Sequence, residues 1–99
     1  MPMNKWVPTT DLLQLRRLGK LGEELNELGA VASRCIIQGL YETDPSSKMV
    51  NIDRLRDEMA DVLAQIRCTI DAFHIDPAVV ESRAQHKMNL MFEWEDFFR

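Results

Sequence analysis

Two pairs of acids, Glu24 with Glu27 and Glu58 with Asp61, are the residues of this chain whose type and spacing could do chemistry. Within each pair the carboxylates stand three positions apart, so on a helix they are neighbours across one turn. Oxygen-only ligands of this kind suit magnesium or manganese, hard cations that keep several waters and are commonly completed by substrate phosphates. Di-iron helical bundles need Glu-x-x-His pairs, and neither pair here contains histidine, which argues against redox chemistry. An acidic pair at this spacing is also the ordinary mark of a solvated helix face carrying salt bridges. Lys20 lies four residues before Glu24 and Arg54 four before Glu58, and either could be such a surface partner. The two possibilities part on whether the pairs come together in space.

The elements that would bring them together are legible in the apolar spacing. Leu15, Leu18, Leu21, Leu25, Leu28, Ala32 and Ile36 recur in steps of three and four, tracing one face of a long first helix. Thr9 or Thr10 can cap it, with Asp11 in its first turn, and Gly39 is a natural stop. Gly19, Gly22 and Gly29 fall inside this segment, each costing about 1 kcal/mol relative to alanine in a helix. Because the leucine stripe keeps its phase through all three, the expectation is an unbroken helix with something packed close to its backbone. Leu55, Met59, Val62, Ile66, Ile70 and Phe73 form the apolar face of a second helix, with Asn51 as its cap and Asp53 in its first turn. Asp76 followed by Pro77 starts a third, which continues past Lys87 toward Trp94. Residues 1–8 carry Pro2, Trp6 and Pro8 and read as an extended arm, while 41–50 hold Pro45, Ser46 and Ser47 and read as a solvated, mobile loop.

At about 100° per residue, Glu24 lies about 60° and Glu27 about 120° to one side of Leu21. Glu58 and Asp61 fall at the same offsets from Leu55, on the same side. Antiparallel packing of the two stripes would therefore gather four carboxylates. Two like charges about 6 Å apart repel by about 3 kcal/mol at an effective dielectric of about 20, a penalty that a divalent cation removes.

Composition narrows the alternatives. Ninety-nine residues, 45% of them hydrophobic, make one domain with a modest core of its own. The expected fold is all-α, an antiparallel helical bundle spanning 1–99 whose core is completed by oligomerisation. A formal charge of -4 speaks against a nucleic-acid polymer as partner, since polyanion binding needs a basic face. Cys35 and Cys68 fall mid-helix without zinc-site spacing and read as reduced thiols. No apolar run approaches the length of about 18 residues that would span a bilayer, and no basic start precedes one, so the chain is expected to be soluble and cytoplasmic.

Glu23-Glu24-x-x-Glu27 followed by Glu58-x-x-Asp61 resembles the signature of the MazG-like all-α nucleoside triphosphate pyrophosphohydrolases, a superfamily that includes dimeric dUTPases and phosphoribosyl-ATP pyrophosphohydrolase. The resemblance covers the first two helices and, more weakly, the third. It implies a homodimer or homotetramer that converts a (d)NTP to (d)NMP and pyrophosphate with Mg2+ or Mn2+, two or more ions being held once substrate is bound. By match to the motif, Glu24, Glu27, Glu58 and Asp61 would be the metal ligands. Glu23 matches a recurrent acid, and it or a ligand carboxylate such as Glu24 would accept the proton of the attacking water. Small phage-encoded members exist, in which case the compartment would be the host cytoplasm.

The chain departs from the pattern in two places. The polar loop makes the separation between Glu27 and Glu58 slightly longer than in compact members. On the third helix Lys87 fits the lysine of the pattern, Asn89 is displaced from the expected register, and the arginine that follows in many relatives is missing. Lys87 and Lys20, and as weaker candidates Arg34, Lys48 and Arg83, could hold phosphate oxygens. Trp6 could stack on a base, as could Trp94, although terminal aromatics more often anchor chain ends. The rival from another class is a noncatalytic helical interaction protein whose leucine stripes mediate dimerisation or partner binding.

Overall fold

The computed structural model describes residues 5–98. Its regular structure is helical: α1 (Leu12–Gln38), α2 (Asn51–Ala72) and α3 (Pro77–Phe97). Among the described residues the nearest thing to a sheet is an isolated bridge between Thr43 and Val50, so the chain is all-α, as the spacing predicts. It divides into two compact units, residues 1–69 and 70–99, each taken by itself below.

In the first unit, Asp11 rather than Thr9 or Thr10 caps α1, its carboxylate accepting a hydrogen bond of 2.9 Å from the Gln14 amide. The expectation that Asp11 sits in the first turn is thus off by one position: the helix begins at Leu12, and Asp11, whose carboxylate offers two acceptor oxygens, takes the cap. Residues 5–8 lie outside the helix and are exposed, while the rest of the expected arm, including Pro2, lies outside the described residues. α1 runs unbroken to Gly39, whose φ of 109° belongs to the region that favours glycine and whose amide donates to the Cys35 carbonyl.

Nothing within the chain packs close to the inner glycines: a Cβ on Gly19, Gly22 or Gly29 would meet nothing within 4 Å. The reason lies in the rotation of the helix. Its buried residues are Glu24 and Val31, seven apart and on the acidic side of the leucine stripe, so Gly22 and Gly29 face away from the contact. That rotation carries a carboxylate inward and leaves Leu18, Leu25 and Ile36 exposed.

α2 meets α1 in the order expected of a helical hairpin. The Cys35 thiol lies 3.9 Å from the Asn51 carbonyl, and farther along, Glu58 stands beside Glu24 and Glu27. Asn51 opens α2 but does not cap it; its side-chain amide turns back and donates to Gln38 Oε1 at 3.1 Å and to the Gly39 carbonyl at 2.9 Å. Val31 and Val62 are the buried apolar residues of the unit. An apolar groove of about 350 Å³ lined by Leu28, Met59, Ala60, Val62, Leu63 and Ile66 stays open beside them.

The loop over 41–50 is exposed at Pro45 and Ser46, as expected, and is tied down at Asp44. Asp44 is only 2% exposed and accepts from the Ser47 amide at 2.7 Å and from Gln38 Nε2 at 2.9 Å. Lys48 takes a left-handed conformation, φ 65°, and its amide donates to the Asp44 carbonyl. These bonds hold the Asp44 carboxyl far below the usual range, at about 2, with the Ser47 amide as the largest cause and Gln38 next.

In the second unit, α2 closes on a left-handed His74, φ 53°, with the Ile75 amide reaching the Ile70 carbonyl in the manner of a Schellman cap. Asp76 caps α3 through the Ala78 amide at 2.9 Å, and Pro77 takes the first helical position. No described residue of α3 is buried. Its end carries an edge-on aromatic contact between Trp94 and Phe98, ring centroids 4.9 Å apart.

Candidate metal centre

α1 and α2 position the acids because each presents them one step off its apolar stripe, where a carboxylate can reach between helices and still face solvent. One oxygen each from Glu24, Glu27 and Glu58 lies within 4.8 Å of the other two, close enough to share one metal ion. Asp61 is not in that group; it is exposed one turn farther along α2. Three of the four acids singled out by spacing are therefore brought together.

Burial is uneven within the trio. Glu24 is 9% exposed, Glu58 is half-buried and Glu27 is exposed. Glu24 Oε2 and Glu58 Oε2 are both shielded from solvent with no hydrogen-bond partner. An uncompensated carboxylate oxygen in such a place is costly, and a cation bound there would relieve it. The Glu27 carboxyl is held above its ordinary value, chiefly by the charge of Glu24, then by desolvation and by the charges of Glu58 and Glu23. Crowded anions with orphaned oxygens fit a divalent ion with oxygen ligands.

Lys20 is the cation the chain itself supplies. Its Nζ lies 3.5 Å from Glu23 Oε1 and 3.4 Å from Glu24 Oε1. Its ammonium is held above its ordinary value, first by the charge of Glu23. The corresponding partner imagined for Glu58 is absent: Arg54 makes no ion pair with it among the described residues, and it is Arg56 that pairs, with Asp53 and Asp57. Glu23 is exposed, in keeping with a group at the rim.

Of the other candidates, Trp6 is largely exposed at the start of the first unit. Lys87 and Asn89 stand exposed on α3, with Asn89 Oδ1 accepting from Gln85 Nε2 at 3.2 Å. Arg83 lines a shallow depression with Ala78, Val79, Ser82 and His86. Cys35 and Cys68 are free thiols. No helix among the described residues is long and apolar enough to cross a membrane.

Sequence reasoning missed Gln65, whose Oε1 is also buried without a partner. Its place seven residues after Glu58, on the same side of α2, is the signal that could have found it. It missed Asp44 as well, whose partners Gln38 and Ser47 are visible only once the loop is folded.

Compared with models of protein families, with curated proteins and with solved structures, the chain gives no match.

Proposed function

We propose that the chain is a metal-dependent nucleoside triphosphate pyrophosphohydrolase of the MazG-like kind, acting in the cytoplasm on nucleotide pools or noncanonical nucleotides. The observation that carries this is the trio Glu24, Glu27 and Glu58, with two buried carboxylate oxygens left unpartnered. Those three residues would hold Mg2+ or Mn2+, with Asp61 joining from the next turn of α2. A divalent ion held there would supply charge neutralisation for a triphosphate and would lower the pKa of a water. Water adds at phosphorus, the α–β phosphoanhydride bond breaks, and the water's proton passes to a carboxylate of the cluster. The products are nucleoside monophosphate and pyrophosphate.

The fold proposed with this function is an antiparallel bundle completed by a second or further copies of the chain. The support is the open groove at Leu28, Met59 and Leu63, together with the exposure of Leu18 and Leu25. The same exposed faces favour the second function, a noncatalytic helical interaction protein, whose acids would only keep it soluble.

A panel of ribo- and deoxynucleoside triphosphates incubated with manganese and scored for pyrophosphate separates the two. Pyrophosphate release from at least one nucleotide is expected. Release of orthophosphate would overturn the reaction, and a panel left intact under several metals gives the lead to the interaction protein.

A further inference from the structure

We propose that Lys20 is a built-in stand-in for the metal, pairing with Glu24 in the metal-free protein and leaving it when a divalent ion enters. The inference rests on the metal-centre reading of Glu24, Glu27 and Glu58 and adds how that centre is kept ready. Glu24 is the most buried of the three, and its two oxygens are treated unequally: Oε1 is 3.4 Å from the Lys20 ammonium, while Oε2 is shielded and unpartnered. A single ammonium at one edge neutralises part of the cluster and orients Glu24, yet leaves the inner oxygens of Glu24 and Glu58 free for a second cation.

Lys20 is not stranded when it leaves Glu24, because it has a second anchor. Glu23 Oε1 is 3.5 Å from the same nitrogen, and both Lys20 and Glu23 have half-exposed side chains, so the ammonium keeps one partner and water when it swings off Glu24. The spacing is what permits this: positions 20, 23 and 24 share one face across a single turn. Entry of the metal is then an exchange of cations on Glu24. The lysine that leaves remains paired with Glu23.

Mn2+ binding to the full chain, followed by the electron paramagnetic resonance signal of the free ion, tests this with wild type, Lys20→Met and Glu58→Gln. Lys20→Met is expected to bind Mn2+ about fivefold more tightly, the worth of the ion pair it no longer has to break. The gain should persist at about 0.3 M salt, because a contact pair to a mostly buried carboxylate is screened less than a through-space effect. Glu58→Gln is expected to bind much more weakly than wild type. A Mg2+ titration of the wild-type protein, read at the Lys20 side-chain nitrogen by NMR, should show the ammonium losing its fixed partner on Glu24 as the site fills. If wild type binds, Glu58→Gln does not, and Lys20→Met is unchanged or weaker, the role of Lys20 is overturned while the metal centre stands. If no chain binds Mn2+, both fall.

Discussion

Two polar clusters lie in the same unit of this protein, and they treat their carboxylates in opposite ways. Around the loop, Asp44 is almost wholly buried, yet the Ser47 amide and Gln38 donate to it and its carboxyl is pulled down to about 2. Between the helices, Glu24, Glu27 and Glu58 face one another, two of their oxygens have no partner, and the Glu27 carboxyl is pushed up. The difference is one of donors. The loop brings backbone amides and side-chain amides to its acid; two helix faces bring only more acids, because the amides of a helix interior are already spent on its own carbonyls. A buried acid with donors holds a structure together, whereas buried acids without them leave room for a ligand.

The sharpest way to break this contrast is to neutralise one acid in each cluster. Glu58→Gln should cut pyrophosphate release by at least about a hundredfold, since loss of even an outer-shell group at a metal site costs that order. In the absence of metal the same change should raise the melting temperature, because it removes repulsion. Asp44→Asn should leave metal binding unchanged and lower the melting temperature. The sign follows from linkage: with a folded value of about 2 against 3.8 unfolded, Asp44 contributes stability fully above about pH 4, and that contribution is lost as pH falls toward 2. Melting followed between pH 5 and 2 should therefore be steeper for wild type than for Asp44→Asn. Equal slopes would mean that the loop acid is not held as described.

Asn51→Ala tests the donor side of the loop. Asn51 is 1% exposed, and its amide is shared between Gln38 and the Gly39 carbonyl. Its loss should cost about 2 kcal/mol and lower the melting temperature by roughly 10 °C, with Mn2+ affinity untouched. A fall in affinity of the same weight would show that the two clusters are not independent. The smallest expected effect is that of Gly19→Ala, an exposed helical position where a Cβ meets nothing within 4 Å. It should stabilise by about 1 kcal/mol or less and leave both clusters alone.

Much of this contrast was half-visible in the sequence. Apolar steps of three and four gave the helices, and Asp76-Pro77 and Gly39 marked ends that the structure keeps. Caps were less legible, because Thr9, Thr10 and Asp11 compete and only the folded geometry decides among them. The helical offsets of Glu24, Glu27 and Glu58 are enough to bring those acids together. Asp61 shares the offset of Glu27, yet it is exposed and stands outside the group. In the loop, Pro45 and Ser46 are solvated as their types suggest, but the bonds that tie Asp44 and Asn51 reach back to Gln38 across the turn and are not legible in the local sequence. At the glycines the leucine stripe does not mark the centre of the contact within the chain, because the buried line of α1 runs through Glu24 and Val31.

The central claim is that the trio is a cation site, and a crystal of the protein grown with Mn2+ and measured at the manganese absorption edge tests it most directly. An anomalous peak in contact with carboxylate oxygens of Glu24, Glu27 and Glu58 is the predicted result. Carboxylates left without an anomalous peak between them at millimolar Mn2+, or manganese bound only elsewhere, would contradict it.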